Sequence, residues 1–286
     1  MVKGKYPLHQ SPFYKIKGLG RLEEILQIEL SMLDRLLAPE NYRVWTNEKN
    51  REIQQPIKWL AQVHKRIGNL FSKIELPDYV YSQKGRSYVD NARQHIGEFP
   101  LIKTDISKFY PSTTRQMVWS MFVHQFKCAN DVADILADIC CFKQAHLPTG
   151  SSLSGRLAFF SAQPMFEKIN KNAIDSENKM TLYVDDITLS GPNATKKKIS
   201  EIRQIVREHG LKTKSSKTKT YPAEAVKSVT GTVIVGNEVK LPNSRHKKIA
   251  ETRQAIQHAS GPEKIKLMRS LKGRIQEAMQ MDVVRI

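Results

Sequence analysis

Two adjacent carboxylates interrupt an apolar segment in the second half of the chain, and they constrain the fold more than any other feature. The segment 180–191 is typical of two short β-strands joined at a turn, with Asp185 and Asp186 at that turn. Like charges side by side are unfavourable unless a cation neutralises them, although Asp is also common in solvated turns. The flanking runs 182–184 and 187–189 demand burial close to the charges, which favours a functional site over a solvated turn.

A third carboxylate closes another predicted strand, 100–105, which ends in Asp105. Three carboxylates on adjacent strand ends provide the oxygen ligands that Mg²⁺ prefers. Two such ions, about 4 Å apart, can activate an attacking hydroxyl and stabilise a leaving pyrophosphate. The pattern therefore predicts phosphoryl transfer by positioning and charge neutralisation, without a protein nucleophile.

Hydrophobic periodicity predicts helices on both sides of these strands. One apolar stripe runs from Leu22 to Leu37 and is closed by Pro39, and a second runs from Leu60 to Ile74. Further helices are expected at 113–126, at 129–142, around 199–206 with Gly210 as the C-terminal cap, and over the last 45 residues with a break near 260–262. The strand at 101–105 is expected to lead into a turn at Pro111 and Ser112, and a second hairpin is expected from 226–235 and 238–241 across Gly236 and Asn237.

The charge balance indicates a polyanionic partner. The chain has 46 Lys and Arg against 28 Asp and Glu, a net charge of +18. No apolar run approaches the roughly 20 residues that cross a bilayer, and the N-terminus has no apolar signal region. The three cysteines lack CxxC spacing, so neither a zinc site nor a disulfide framework is expected. These observations predict a cytoplasmic nucleic-acid-binding protein with no membrane partner.

Four motifs in order resemble those of the reverse transcriptase family. Tyr183-Val-Asp-Asp186 resembles the YxDD signature, and Asp105-Ile-Ser-Lys-Phe-Tyr110 resembles the first palm motif. Leu147-Pro-Thr-Gly-Ser-Ser-Leu-Ser154 resembles the PQG…S motif, with Thr149 where the family usually has Gln, and Lys217 resembles the lysine motif after the hairpin. Pro164 departs from the helix expected after the third motif, which it should kink or shorten.

Two shorter strings narrow the resemblance to retron reverse transcriptases. Asn91-Ala-Arg-Gln-His95 resembles their NAxxH motif, and Val229-Thr-Gly231 resembles their VTG motif. Asn91 and His95 are expected on one face of a helix, where the alternative to a functional role is a face satisfied by local hydrogen bonds. The resemblance implies an α+β right-hand polymerase with N-terminal helices and fingers at 1–97, palm at 98–241 with fingers helices inserted at about 113–146, and helical thumb at 242–286.

The resemblance also implies roles for individual residues. It assigns catalysis to Asp105, Asp185 and Asp186, and it assigns two Mg²⁺ ions to these aspartates together with Ile106. It assigns the incoming dNTP to Lys84, Arg86, Tyr110, Gly150 and Lys217, with the Tyr110 ring excluding a ribose 2′-hydroxyl. RNA contacts are expected at Asn91, His95 and Thr230 and, from the basic C-terminal runs, at Arg245, Lys247 and Lys248. For each lysine and arginine the alternative is an ordinary solvated side chain.

Retron enzymes pair with a structured noncoding RNA, and the resemblance implies such a partner here. Members of the group copy part of that RNA into a small branched multicopy DNA, priming from a guanosine 2′-hydroxyl, and commonly serve in anti-phage defence with a separate effector protein. One alternative is a defence-associated reverse transcriptase of another group that uses its own RNA. Another is a catalytically idle RNA-binding or assembly subunit, against which the three intact carboxylates argue.

Overall fold

Residues 4–282 are described by the computed structural model, so the outermost residues of the predicted first and last subdomains lie outside the described part. Chain contacts divide it into two compact units. The first unit is formed by the chain up to Pro77, by Ile106–Ile169 and by Gln204–Lys212. The second is formed by Asp78–Asp105, by Asn170–Arg203 and by the chain from Thr213 onward.

The described residues form eleven α-helices, of which those beginning at Tyr88 and Arg115 are capped by the side chains of Ser87 and Thr114. In chain order they are α1 (Leu19–Leu26), α2 (Leu33–Leu37), α3 (Lys58–Ser72), α4 (Tyr88–Arg93), α5 (Phe109–Ser112), α6 (Arg115–Ser120), α7 (Asn130–Cys140), α8 (Ser154–Ile174), α9 (Lys196–Glu208), α10 (Asn243–His258) and α11 (Gly261–Asp282). A π-helical turn, Met121–Gln125, follows α6. Within the described residues, no helix combines the length and the apolarity that crossing a bilayer requires.

The strands form three antiparallel sheets. They are β1 (Tyr42–Thr46), β2 (Glu52–Pro56), β3 (Leu101–Asp105), β4 (Lys179–Tyr183), β5 (Asp186–Ser190), β6 (Lys219–Tyr221), β7 (Lys227–Val229), β8 (Thr232–Val235) and β9 (Glu238–Lys240). β1 pairs with β2, the order of the largest sheet is β4-β5-β3-β6, and the third sheet has the order β7-β8-β9.

The first unit is built around an aromatic core. Buried rings of Phe13, Phe71, Phe122, Phe126 and Phe160 pack with neighbouring centroids 5.2–6.1 Å apart. Aromatic rings at such separations bury a large apolar area and favour tilted or edge-to-face geometry. The helix predicted between Leu60 and Ile74 is confirmed as α3, whose apolar stripe faces this core.

The second unit places two sheets against one short helix. Val89 and Ala92 of α4, Leu101 of β3 and Val229 of β7 belong to one buried cluster, with apolar residues of β8, β9 and α11 completing it. Ser87 caps α4 in a capping box with Asp90, in which each side chain accepts a backbone N–H of the other. Leu101 of β3 therefore lies in the same buried apolar cluster as helix α4.

The catalytic hairpin predicted at 180–191, the strand at 101–105, and the helices at 129–142 and 199–206 are confirmed, as is the break between the last two helices. Gly210 adopts φ +75 just after α9, as expected of a C-terminal cap. The helix predicted at 113–126 is confirmed as α6 with its π-helical turn.

Four local expectations are corrected. The stripe from Leu22 to Leu37 is two helices, because Gln27 adopts a left-handed conformation that ends α1. Pro111 lies in the single-turn helix α5 rather than in an open turn, since proline is tolerated in a first helical turn. Residues 226–235 are two strands that turn at Thr230 and Gly231. Pro164 does not shorten α8, which continues to Ile174 with buried neighbours on both sides of the proline.

Candidate active site

The strand register brings the predicted acidic residues together. Asp105 at the end of β3 lies directly opposite Asp186 at the start of β5. Tyr183 pairs with Asp186 across the hairpin, so Asp185 occupies the two-residue turn. Directly opposed residues of an antiparallel pair point to the same face, with Cβ atoms about 4.5–5.5 Å apart. The sheet therefore gathers Asp105 and Asp186 on one face and Asp185 at its edge.

Burial and mutual repulsion act on these carboxylates together. Burial, reinforced by the charges of Asp105 and Asp186, raises the pKa of Asp185 to about 6. Burial and the charge of Asp105 also raise the pKa of Asp186. A carboxylate cluster that resists ionisation in this way is one that a nearby cation stabilises.

Lys217 is brought to these acids as the sequence predicts. Its Nζ donates to Asp105 Oδ2 at 2.8 Å, and this hydrogen bond is the main cause of the raised pKa of Lys217. The Asp105 side chain is only 7% exposed, whereas that of Lys217 is 48% exposed. The lysine thus reaches from the solvent side to a buried carboxylate.

Lys103 is a site residue that the sequence reasoning missed. It lies two residues before Asp105 on β3 and pairs with Lys219 of β6, so it shares the face that carries the acids. Burial lowers the pKa of Lys103, and the charge of Asp186 opposes that effect. The alternation of side chains along a strand was the signal that could have found it.

The hairpin tip is conformationally unusual. Val184 has φ +61, although β-branched residues rarely adopt positive φ. Its backbone N–H donates to Ser82 Oγ at 3.1 Å. Strained conformations of this kind cost about 1–3 kcal/mol and persist where the surroundings hold them, so the turn that carries Asp185 is held in a defined conformation.

The donor chemistry of this cluster fits a divalent metal. Within residues 4–282, no three Asp, Glu, His or Cys side chains are arranged as a ligand set. Three carboxylates that are partly buried and repel one another nevertheless offer the hard oxygen donors that Mg²⁺ takes. Ile106 has a fully buried side chain, so its backbone carbonyl is the group it could contribute.

The predicted nucleotide residues other than Lys217 have varied surroundings. In the second unit Lys84 is exposed, whereas Arg86 forms an ion pair with Asp78 at 3.0 Å and lies over the Tyr81 ring. In the first unit Tyr110 is half-buried beside Phe109, with ring centroids 6.0 Å apart.

Gly150 is held against strand β2. Its N–H donates to Gln54 O at 3.0 Å, and a Cβ at this position would lie 2.8 Å from the same oxygen. Glycine is therefore required there by backbone packing. The neighbouring Thr149 stands where the family usually has Gln. Its hydroxyl donates to Glu52 O at 2.8 Å, so Thr149 also binds strand β2.

Asn91, His95 and Thr230, from the NAxxH and VTG strings, form side-chain hydrogen bonds within the second unit. Asn91 lies in α4, but the helix ends at Arg93, so the expectation that His95 shares its helical face is wrong. Asn91 Nδ2 donates to Thr230 Oγ1 at 3.4 Å, and Thr230 Oγ1 donates to Tyr88 O at 2.9 Å. His95 contacts Ser190 Oγ and Thr181 Oγ1, each at 2.7 Å. Asn91 and His95 are at most 1% exposed, so their burial does not support the predicted direct contact with RNA.

The predicted C-terminal RNA contacts divide into paired and exposed side chains. Arg245 forms an ion pair with Glu277 of α11, which also accepts a 2.6 Å hydrogen bond from Tyr88 Oη. Lys248 is exposed, and Lys247 is 78% exposed with Glu251 3.9 Å away. Arg245 thus joins α4, α10 and α11, while the two lysines remain accessible.

Comparison with known proteins agrees with this fold. The family model described as reverse transcriptase (RNA-dependent DNA polymerase) matches residues 34–234. The retron Ec86 reverse transcriptase of Escherichia coli is 29% identical over 248 residues, which cover 82% of this chain and 76% of that protein. The retron Se72 reverse transcriptase of Salmonella heidelberg is 27% identical over 221 residues, which cover 71% of this chain and 57% of that protein.

A solved structure shows the same fold at low sequence identity. The telomerase from Candida albicans, in complex with a TWJ fragment of telomeric RNA, aligns with a TM-score of 0.51 and 10% identity. The alignment covers 91% of this chain and 60% of that one. This likeness confirms the predicted fold class, an α+β polymerase of the right-hand type.

The family match covers more than half of the chain and includes the sheet that gathers the three aspartates, and together these findings define the class of protein. The chain belongs to the reverse transcriptase family of RNA-directed DNA polymerases, and its curated relatives support its assignment to the bacterial retron enzymes.

Proposed function

We propose that this chain copies a cognate structured RNA into DNA by two-metal nucleotidyl transfer. The observation that carries the proposal is the register that sets Asp105 opposite Asp186 with Asp185 in the adjoining turn. Asp105, Asp185 and Asp186, with the Ile106 carbonyl, would hold two Mg²⁺ ions. Bound there, the ions supply charge neutralisation at the attacking hydroxyl and at the leaving pyrophosphate.

The predicted nucleotide residues orient the dNTP in this proposal. Lys217 neutralises Asp105 within the protein and is exposed enough to reach a phosphate oxygen as well. Lys84 and Arg86 contribute further cationic donors, and Gly150 keeps its loop close to β2. Tyr110 excludes a ribose 2′-hydroxyl and so selects dNTP over rNTP. The division into fingers (1–97), palm (98–241) and thumb (242–286) belongs to the same proposal.

The RNA is held by exposed cations of the C-terminal helices. Lys247 and Lys248 on α10 are accessible, and the chain carries a net charge of +18. Such side chains contact phosphates without base-specific geometry, which suits recognition of an RNA stem by shape and backbone. Arg245 contributes by holding α10 to α11 rather than by a free guanidinium.

The product of this reaction is a small single-stranded DNA branched from its own RNA, and the system acts with a separate effector protein in anti-phage defence. The likeness to the Ec86 and Se72 retron enzymes supports this reading. A defence-associated reverse transcriptase with its own RNA but another priming route is the second candidate.

Isolation of the nucleic acid that co-purifies with the protein tests the proposal and separates the two candidates. The retron assignment predicts a DNA whose 5′ end stays joined to RNA by a 2′–5′ bond, so debranching enzyme shifts its mobility after ribonuclease treatment. A DNA that carries no branch supports the second candidate, and absence of any DNA product in active cells contradicts both.

A further inference from the structure

We propose that His95 is a positioning residue for DNA synthesis that fixes β4 and β5, the two strands of the hairpin that presents Asp185 and Asp186, relative to each other. The inference rests on the proposed role of these aspartates. It assigns to the buried histidine of the NAxxH string a function inside the polymerase site rather than at an RNA surface.

The imidazole forms a brace across the catalytic hairpin. One ring nitrogen contacts Thr181 Oγ1 of β4 and the other contacts Ser190 Oγ of β5, each at 2.7 Å. The register pairs Thr181 with Thr188 and Ser190 with Lys179, so the two hydroxyls are diagonal neighbours on one face. Diagonal neighbours lie about 7–8 Å apart, a gap that no direct hydrogen bond spans and that an imidazole between two hydroxyls fills.

The brace acts on the strand ends that carry the acids. Thr181 precedes Asp185 by four residues, and Ser190 follows Asp186 by four. At about 3.3 Å per residue, His95 lies roughly 13 Å from the carboxylates along the strands. His95 is too distant to touch the reacting atoms, but it contacts both strands of the hairpin.

The protonation state of His95 determines which hydrogen bonds the brace can form. Burial, together with the charges of Lys179 and Lys227, lowers the pKa of His95 to about 3, so the ring is neutral. A neutral imidazole has one donor and one acceptor nitrogen. One hydroxyl therefore accepts from the ring and the other donates to it, and the ring orientation is fixed by two complementary hydrogen bonds.

The ring is itself anchored by the helix that precedes it. The His95 backbone N–H donates to Ala92 O at 3.0 Å at the end of α4. Asn91 of the same helix contacts Thr230 at the turn between β7 and β8. Asn91 thus links α4 to the turn between β7 and β8, and His95 links the end of the same helix to both strands of the catalytic hairpin.

Single substitutions separate positioning from RNA contact. His95→Phe fills the same space but leaves the Thr181 and Ser190 hydroxyls unpaired, whereas His95→Gln retains one donor and one acceptor. Primer extension on a saturating RNA template with a DNA primer gives kcat and the KM for dNTP, and filter binding of that template–primer gives Kd. We expect His95→Phe to lower kcat about tenfold or more, since small misplacements at an active site cost up to about a hundredfold. KM and Kd should change by less than about twofold, and His95→Gln should recover most of kcat.

Asn41 supplies a control within the same chain. It is buried in the first unit, and its Nδ2 donates to Arg35 O at 2.8 Å and to Leu36 O at 3.0 Å. Asn41→Leu removes two buried hydrogen bonds at similar volume, so it should lower stability without lowering kcat when both variants are assayed at temperatures where they are fully folded.

Two variants keep the test decisive if His95→Phe does not fold. Thr181→Val and Ser190→Ala each remove one hydroxyl from the brace, and each should lower kcat several-fold. The double variant Thr181→Val/Ser190→Ala should lower kcat by less than the product of the two single effects, because both hydroxyls act through the same ring.

Three outcomes would overturn the inference. A weakened Kd with wild-type kcat would make His95 an RNA-recognition residue, and an equal fall in kcat for Asn41→Leu would make the role of His95 purely structural. Wild-type kcat in both Thr181→Val and Ser190→Ala would show that the brace does not act on catalysis. Asp185→Asn is assayed in parallel, because wild-type synthesis by that variant would contradict the proposed function itself rather than the positioning role.

Discussion

At the scale of single residues, environment decides what each side chain can do. Asp105 and Lys217 lie far apart in the sequence, yet they form one of the shortest ion pairs of the site at 2.8 Å. The three aspartates could be predicted from sequence because charge inside an apolar hairpin is conspicuous. Lys103 was missed, although it lies two residues before Asp105 on the predicted strand and the alternation of side chains puts both residues on one face.

His95 shows the opposite failure. Its spacing from Asn91 matches one helical turn, but spacing does not report that α4 ends at Arg93. The alternative of local hydrogen bonds does not describe this string either: both side chains are buried, and their partners Thr230, Ser190 and Thr181 lie 86 to 139 residues away in the sequence. Burial depends on the strands packed above the helix, and no local pattern encodes it.

Tyr110→Ala should raise incorporation of rNTP relative to dNTP. Removing the ring opens the space that a ribose 2′-hydroxyl would occupy. Competition between labelled rNTP and dNTP on one template–primer measures the ratio, with Phe109→Leu as a control for altered packing of α5. An unchanged ratio in an active Tyr110→Ala protein would remove this residue from sugar selection.

The buried histidines make the protein less stable as the medium becomes acidic. Burial lowers the pKa of His95 to about 3 and that of His64 to about 4, whereas unfolded histidine titrates near 6.5. Between these values the unfolded state binds more protons, so stability is complete above about pH 6.5 and falls as the pH decreases towards the folded pKa.

Urea denaturation at pH 7.5 and pH 5 checks this linkage. Each histidine should contribute about 2 kcal/mol to the loss of unfolding free energy between the two pH values. His95→Gln or His64→Gln should therefore lose less stability over this range than the wild type does. Equal losses in wild type and variants would show that the histidines are not buried as neutral groups.

At the scale of elements, a strand or hairpin could be predicted where its residues differ clearly in polarity from their neighbours in the sequence. The hairpin β4–β5 and strand β3 were predictable because short apolar runs end at charges. The hairpin β1–β2 was missed because four of the five β1 side chains are exposed, so the strand shows no alternation of buried apolar and exposed polar residues. It is held instead by a distant loop, in which Thr149 and Gly150 bond to Glu52 and Gln54.

The turn between β7 and β8 depends on one hydroxyl. Thr230 and Gly231 have φ +44 and +86, as a two-residue hairpin turn requires. Thr230→Val keeps the shape of the side chain but removes both hydrogen bonds to α4, and it should lower the unfolding free energy by about 1–3 kcal/mol. Thr230→Ser retains the hydroxyl and serves as the control. Equal stability of the two variants in urea denaturation would mean that the hydroxyl does not fasten the turn.

At the scale of the whole molecule, the excess of 18 positive charges controls the encounter with RNA. Exposed lysines that contact phosphate release counterions, so affinity falls with salt in proportion to the number of contacts. Composition alone predicts this behaviour, but the structure is needed to separate Lys247 and Lys248, which are accessible, from Arg245, which is paired with Glu277.

The double variant Lys247→Gln/Lys248→Gln should weaken RNA binding and reduce the salt slope by about 0.9 for each phosphate that a lysine no longer neutralises. Lys196→Gln/Lys197→Gln makes the same change in net charge on exposed residues of α9 and should leave the slope near its wild-type value. Titration of binding to the cognate RNA from low to high salt compares them. Equal slopes for the two double variants would assign the effect to net charge alone.

The most direct test of the account is metal-dependent synthesis of DNA on an RNA template by single-aspartate variants. Primer extension is measured with dNTPs and Mg²⁺ for wild type and for Asp105→Asn, Asp185→Asn and Asp186→Asn, with circular dichroism and RNA binding as controls for folding. We expect synthesis by the wild type that EDTA abolishes. Each variant should fold and bind RNA yet lose synthesis, because it removes one charge from the cluster that holds the metal. Near wild-type extension by all three folded variants would contradict the central claim that these aspartates form the polymerase site.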